Sequence, residues 1–292
     1  MAKTRFTFEA NGLTFHALTE GEGPLALCLH GFPDTPHTFR AIAPALAAAG
    51  YRVVAPWMRG YAPTGVPADG RYQLAALALD VAGMIDALGK GEQAVVIGHD
   101  WGAAASYGGA VLAGDRIRRL VVMAVPHPFT FMNAMMSSYA QQKRSWYMFF
   151  FQTPLAEAVV PADDFAFLER LWRDWSPGFI PPADLLAEVR ASLSAPGSLE
   201  AALGYYRALF DPALLDPGLA DLQDRITATP VGVPSLYLHG ANDGCIGAEL
   251  IPGMEGFFAA GLETEILPDA GHFLHLEAPE AVAKRILGFL KG

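Results

Sequence analysis

The chain has 292 residues, 52% hydrophobic and 17% charged, with 30 acidic against 20 basic residues and a formal net charge of -10. A chain of this length buries about three quarters of its unfolded surface, so it needs no metal or disulfide staple. The negative balance argues against nucleic-acid and anionic membrane partners. Only two cysteines occur, Cys28 and Cys245, too few for a disulfide framework or a cysteine metal cluster.

The opening Met1-Ala2-Lys3-Thr4-Arg5 leads into alternation and not an apolar block, so no signal peptide is expected. The longest nearly uncharged run, Leu120 to Met136, is broken by Pro126 and Pro128 and is too short to span a bilayer. No Gly-rich phosphate loop or metal-ligand pattern appears, so neither a cofactor nor a metal is expected. The expectation is a soluble, cytoplasmic protein, with a homodimer left open.

The elements follow in chain order. Arg5–Glu9 and Leu13–Ala17 alternate around Asn11-Gly12, a hairpin signal. Leu25–Leu29 is a continuous apolar run, as expected for a strand covered on both faces. Phe39–Ala49 reads as a helix closed by Gly50. Arg52–Ala55 is a short strand, and Tyr72–Leu88 a helix stopped by Gly89. Ala94–Ile97 is another buried strand, Trp101–Ala113 a small-residue helix, and Leu120–Ala124 a strand. This alternation implies a parallel sheet with helices on both faces.

The rhythm breaks at Pro126. From His127 to Arg225 the pattern is helical and aromatic-rich, with helices opened by Pro161, Pro181-Pro182 and Ser198. Alternation then resumes with a strand at Ser235–Leu238, a helix over Ile251–Ala260, a strand at Thr264–Leu267 and a closing helix from Pro279 to Leu290. One α/β core, residues 1–126 and 226–292, is therefore expected to carry a helical cap, residues 127–225.

Four segments carry chemistry. Gly98-His99-Asp100-Trp101-Gly102 lies between a buried strand and a small-residue helix. It has the shape of a nucleophile elbow, usually written with serine at its centre, and the centre here is Asp100. The less favoured reading of Asp100 alone is an ordinary helix N-cap. His30-Gly31-Phe32-Pro33 follows the expected neighbouring strand. The loop after that strand and the residue after the nucleophile supply oxyanion-hole amides in such folds, here Phe32 and Trp101. Asp243 ends the seventh strand and His272 follows the eighth, giving the order nucleophile, acid, base. Asp269 is the rival acid, more in keeping with a solvated turn, and His275 is the rival base.

On these motifs the chain resembles the α/β-hydrolase superfamily over essentially its whole length. The resemblance implies a mostly parallel eight-stranded sheet flanked by helices, with an inserted helical cap. With aspartate at the elbow it looks like the epoxide hydrolase and haloalkane dehalogenase branch, and the motifs around Phe32, Asp100 and His272 resemble the epoxide hydrolase versions. Arg59-Gly60-Tyr61 resembles the loop after the fourth strand, with Trp57 and Ala62 departing from the family pattern.

A carboxylate nucleophile suits attack on saturated carbon, and a histidine-activated water then cleaves the resulting ester. An epoxide oxygen leaving as alkoxide needs a proton donor, which two cap tyrosines supply in epoxide hydrolases. Tyr147, seven residues before Pro154, and Tyr206, which precedes Arg207, match those motifs. Leu199, Leu203, Tyr206 and Phe210 also fall on one helical stripe. The resemblance thus implies hydrolysis of an apolar epoxide to a vicinal diol, using Asp100, Asp243, His272, Tyr147, Tyr206 and the amides of Phe32 and Trp101. Haloalkane dehalogenation is the alternative, since the Trp101 indole could hold a halide. A non-catalytic receptor on the same shell is the third reading. His30, His239 and His99 are expected to brace or pack, Cys28 to fill the core, and Trp172 and Trp175 to pack within the cap.

Overall fold

The computed structural model describes residues 4–292. The hairpin forms as β1 (Thr4–Ala10) and β2 (Leu13–Glu20), turning on Asn11 and Gly12, both at positive φ. The remaining strands are β3 (Leu25–Leu29), β4 (Arg52–Pro56), β5 (Ala94–His99), β6 (Ile117–Met123), β7 (Ser235–Gly240) and β8 (Leu262–Leu267). They make one sheet in the order β1-β2-β4-β3-β5-β6-β7-β8. The β1–β2 and β2–β4 pairs are antiparallel and the rest are parallel.

Every residue of β3, β5 and β7 is buried, which is why these strands read as unbroken apolar runs. Alternate side chains serve opposite faces. Leu25, Leu27 and Leu29 join one core cluster, and Ala26 and Cys28 the other. Helices α1 (Ala43–Ala48) and α13 (Pro279–Lys291) cover the Cys28 face, where Leu46, Val282 and Ile286 are buried. Burial of such aliphatic side chains contributes roughly 1.5–3 kcal/mol each. Helices α2 (Leu74–Leu88) and α3 (Trp101–Leu112) cover the other face.

Between β6 and β7 the chain is helical: α4 (Pro128–Ser137), α5 (Tyr139–Arg144), α6 (Trp146–Phe150), α7 (Leu155–Val159), α8 (Ala162–Trp175), α9 (Ala183–Leu193), α10 (Ser198–Phe210) and α11 (Ala220–Ala228). Their buried residues Tyr147, Leu171, Trp175 and Tyr206 belong to the same core cluster as Leu27, so the insertion shares one continuous apolar core with the sheet. A short helix, α12 (Leu274–Glu277), precedes α13. No helix among the described residues is long and apolar enough to cross a membrane.

Two expected helices are different in the structure. The span Phe39–Ala49 splits into a 3-10 turn, Pro36–Ala41, and α1. Pro44 lacks the N–H that would continue the first helix, so the chain restarts there. The span Ile251–Ala260 holds only a 3-10 turn, Met254–Phe257, opened by Gly253 at φ 89°. Pro252 and three nearby glycines make a regular helix unfavourable there.

Candidate active site

The four motif loops all follow the carboxyl ends of parallel strands, where α/β sheets place their ligand crevices. Asp100 follows β5 with φ 52° and ψ -121°, a strained backbone for a non-glycine residue. Its neighbours explain how the strain is held. A Cβ on Gly102 would lie 1.9 Å from the Leu29 carbonyl oxygen, and one on Gly98 would lie 2.3 Å from the Gly102 oxygen. Only glycine lets strand and helix close around Asp100. Its carbonyl then accepts the Ala103 and Ala104 amides at 2.9 and 3.1 Å, which starts α3.

The Asp100 carboxylate is 5% exposed and has distinct partners on its two oxygens. Oδ1 accepts the Phe32 amide at 2.7 Å. Oδ2 lies 3.5 Å from His272 Nε2, and that nitrogen has no hydrogen-bond partner. The Trp101 amide, the other expected donor, makes no hydrogen bond to the carboxylate among the described residues; it belongs to the first turn of α3, whose amides lack helical partners.

His272 Nδ1 sits 2.9 Å from Asp243 Oδ2. Asp243 Oδ1 accepts the Cys245 and Ile246 amides at 2.7 and 2.9 Å. Burial opposes charge on His272, but the Asp243 and Asp100 carboxylates outweigh it and hold the imidazole well above its ordinary range. Burial likewise opposes charge on Asp100, but His272 and the Phe32 amide outweigh it and keep the carboxyl below its ordinary value. Asp100 and His272 are therefore a buried ion pair.

The rival residues sit elsewhere. Asp269 is exposed. His275 is buried with Nε2 on the Thr38 hydroxyl, and its ring stacks on Phe39. His30 Nε2 accepts the Met58 amide at 3.0 Å, and His239 Nε2 meets the Ile246 carbonyl at 3.0 Å, so both brace loops as expected. Beside Trp57, Arg59 makes a buried double hydrogen bond to Asp80 at 2.6 and 2.7 Å, which fixes that loop.

Both tyrosines reach the site from the helical insertion. Their rings are 5.7 Å apart and edge to face, and Tyr206 also lies 5.4 Å from Phe32 and 5.1 Å from Trp101. Tyr206 Oη is buried without a partner, whereas Tyr147 Oη is 3.2 Å from Cys245 Sγ. Burial first, and the nearby Asp100 charge, push both phenols well above their ordinary range, so both stay protonated. Tyr205 points away and donates to the Arg59 carbonyl at 2.9 Å. A cavity of about 70 Å³ opens on Asp100 and Trp101, lined otherwise by apolar side chains such as Val125, Phe131, Met132, Met148 and Leu209.

Some neighbours of the site are not assigned to it by the sequence. Trp175, expected only to pack, has its ring 4.8 Å from Tyr147 and 5.2 Å from His272. Cys245 touches both Tyr147 and Asp243. Buried Asp34, His99 and His275 bring one ligand atom each within 4.8 Å of one another, a grouping able to hold a small cation. Asp34 Oδ2 and the two Nδ1 atoms there have no hydrogen-bond partner.

Residues 24–279 match the model of the alpha/beta hydrolase fold family. Epoxide hydrolase 3 of Xenopus tropicalis is 33% identical over 290 residues, covering 96% of this chain and 76% of that protein. Epoxide hydrolase A of Mycobacterium tuberculosis is 31% identical, covering 100% of this chain and 98% of that one. Among solved structures, an epoxide hydrolase from Bacillus megaterium in complex with an inhibitor superposes with a TM-score of 0.84 at 26% identity, covering 98% of this chain and 100% of its own. With its eight-stranded sheet, its elbow and these relatives, the chain belongs to the alpha/beta hydrolase fold family, on the epoxide hydrolase branch.

Proposed function

We propose that this protein is an epoxide hydrolase that converts an apolar epoxide and water to a vicinal diol through an ester on Asp100. The observation that carries the reading is a buried elbow carboxylate 3.5 Å from His272 Nε2, with two protonated tyrosines packed edge to face on each other, one of them against Phe32 and Trp101. The relatives named above as epoxide hydrolases support it.

In the first half-reaction Asp100 Oδ2 attacks an epoxide carbon. The carbon–oxygen bond of the ring breaks, and the nascent alkoxide takes a proton from Tyr147 or Tyr206. Phe32 holds Oδ1 and aims the carboxylate. Esterification removes the negative charge of Asp100, one of the two carboxylates that keep His272 charged. His272 then gives up its proton, which returns to the tyrosinate, and becomes a base.

In the second half-reaction His272 Nε2 takes a proton from water, and the hydroxide adds to the ester carbonyl carbon. The tetrahedral oxyanion is stabilised by the Phe32 amide and by the Trp101 amide, free at the start of α3. Collapse breaks the acyl–oxygen bond, and the diol oxygen takes the proton held by His272; the carboxylic acid left on Asp100 then passes its proton to His272, which restores the carboxylate and the charged imidazole. Asp243 orients His272 through Nδ1. Residues 127–225 act as the cap that supplies both tyrosines and the apolar wall.

The test is product analysis on two panels, apolar epoxides and haloalkanes. Diol formation with no halide release is expected. Halide release without diol formation would replace the reading with dehalogenation, and tight binding without turnover on either panel would replace it with a receptor.

A further inference from the structure

The backbone around His272 is held by groups that the scheme above does not use. Three consecutive amides are involved. Gly271 N–H donates to Glu277 Oε2 at 2.9 Å, and Phe273 N–H donates to Ser176 Oγ at 3.1 Å. Between them, His272 N–H donates to the Trp175 carbonyl at 3.0 Å. The Ser176 hydroxyl closes the ring by donating to Glu277 Oε1 at 2.7 Å. Ser176 is fully buried at the carboxyl end of α8, in the helical insertion, whereas Glu277 ends α12 in the core.

The same stretch of α8 reaches the acid loop, because the Trp175 carbonyl also accepts the Gly244 amide at 3.0 Å. The fit is tight. A Cβ on Gly271 would lie 2.6 Å from Ser176 Cα, and one on Gly244 would lie 2.0 Å from the Asp174 carbonyl oxygen. Glycine at both positions lets the cap backbone touch the loops that carry base and acid.

We infer that Ser176 and Glu277 are positioning residues for His272, a cap-to-core clamp that sets the aim of Nε2 in the water-activating step. The inference rests on the aspartyl-ester reading above. Its logic is that the two half-reactions depend differently on this loop. Asp100 is aimed by the Phe32 amide, in the loop after β3, and needs no help from the His272 backbone to attack. His272 Nε2 makes no hydrogen bond of its own, and its ion pair with Asp100 is lost once the ester forms, so hydrogen bonds then hold its direction through Asp243 at Nδ1 and through the backbone that Ser176 and Glu277 hold. Loosening the clamp therefore misdirects the base and leaves the nucleophile alone. Misplacement of a reacting group by about 1 Å can cost 10²-fold in rate.

The experiment is rapid-quench mass spectrometry of the whole chain with styrene oxide, an apolar aromatic epoxide, for wild type, Ser176→Ala, Glu277→Ala and Glu277→Gln. Rates are referred to the ester formed per chain, so an unfolded fraction drops out. Both alanine variants should form ester within about twofold of the wild-type rate, and hydrolyse it about 10- to 100-fold more slowly. Ester should accumulate, and kcat and KM should fall together with kcat/KM retained. Glu277→Gln, which keeps an acceptor for Gly271, should fall between wild type and Glu277→Ala. Equal slowing of both half-reactions in the alanine variants, or no slowing of either, overturns the positioning role while leaving the ester reading intact. Absence of ester in the wild type overturns the ester reading and this inference with it.

Discussion

Replacing Asp243 with Asn changes one atom and reverses the polarity of the base. In the structure Oδ1 accepts two amides, from Cys245 and Ile246, and Oδ2 faces His272 Nδ1. Asparagine has one oxygen to share between these sides. Turning its NH₂ toward the two amides would lose two buried hydrogen bonds and leave their donors unpaired, at about 1–3 kcal/mol each. The oxygen therefore stays on the amides, by roughly 2–6 kcal/mol, and the NH₂ faces Nδ1. That contact requires a lone pair on Nδ1, which moves the imidazole proton to Nε2. His272 then presents a donor to the attacking water in place of an acceptor, and it loses the charge that raised its basicity. Loss of a positioned general base costs about 10²–10⁴-fold. Single-turnover quench experiments with a chromogenic epoxide should show ester forming within about tenfold of the wild-type rate and decaying 10²–10⁴-fold more slowly. Ester decay within threefold of wild type would refute the assignment of Nε2 as the base and of Asp243 as its orienting partner.

The two tyrosines should act as alternative donors to one oxygen, so Tyr147→Phe or Tyr206→Phe alone should retain part of the ester-forming rate. The double variant should lose about 10²–10⁴-fold, read as ester formation in a single turnover, and a wild-type rate there would remove both from the chemistry. Burial pushes the Asp34 carboxyl up to about 7, so the folded chain binds a proton there that the unfolded chain, at its ordinary 3.8, releases earlier. Its contribution to stability is complete below about pH 4 and is lost as pH rises to about 7. Wild type should therefore lose about 2–3 kcal/mol relative to Asp34→Asn between pH 5 and pH 8 in urea unfolding, and a gap independent of pH would contradict this.

The strands at Leu25–Leu29 and Ala94–Ile97 were legible because burial on both faces leaves a continuous apolar run, and the elbow because close strand-to-helix approach demands glycine at two fixed places. The placement of Tyr206 over Tyr205 was legible from the helical stripe. Ile251–Ala260 was misread because its apolar residues outweighed Pro252 and the glycines that prevent a helix. The amide of Trp101 could not be judged from sequence, since whether it meets the carboxylate depends on the strained torsions of Asp100. The contacts of Ser176, Trp175 and Glu277 with the His272 loop left no trace in the sequence. They join residues far apart in the chain, two of them through backbone carbonyl and amide groups that any residue possesses. The gathering of Asp34, His99 and His275 was hidden for the same reason, being made by three elements far apart in the chain: the loop after β3, the end of β5 and α12.

The central claim is that Asp100 attacks carbon, and a single turnover in ¹⁸O water with enzyme in excess tests it most directly. In the covalent route one diol oxygen comes from the Asp100 carboxylate and solvent oxygen enters Asp100 when the ester is hydrolysed. The Phe32 amide at 2.7 Å from Oδ1 supports that route, because it is placed to stabilise an oxyanion on Asp100 itself. Attack by Asp100 gives unlabelled diol from the first turnover and an ¹⁸O-labelled peptide containing Asp100. Labelled diol in the first turnover, with Asp100 unlabelled, would mean that water attacks the epoxide directly and would contradict the account.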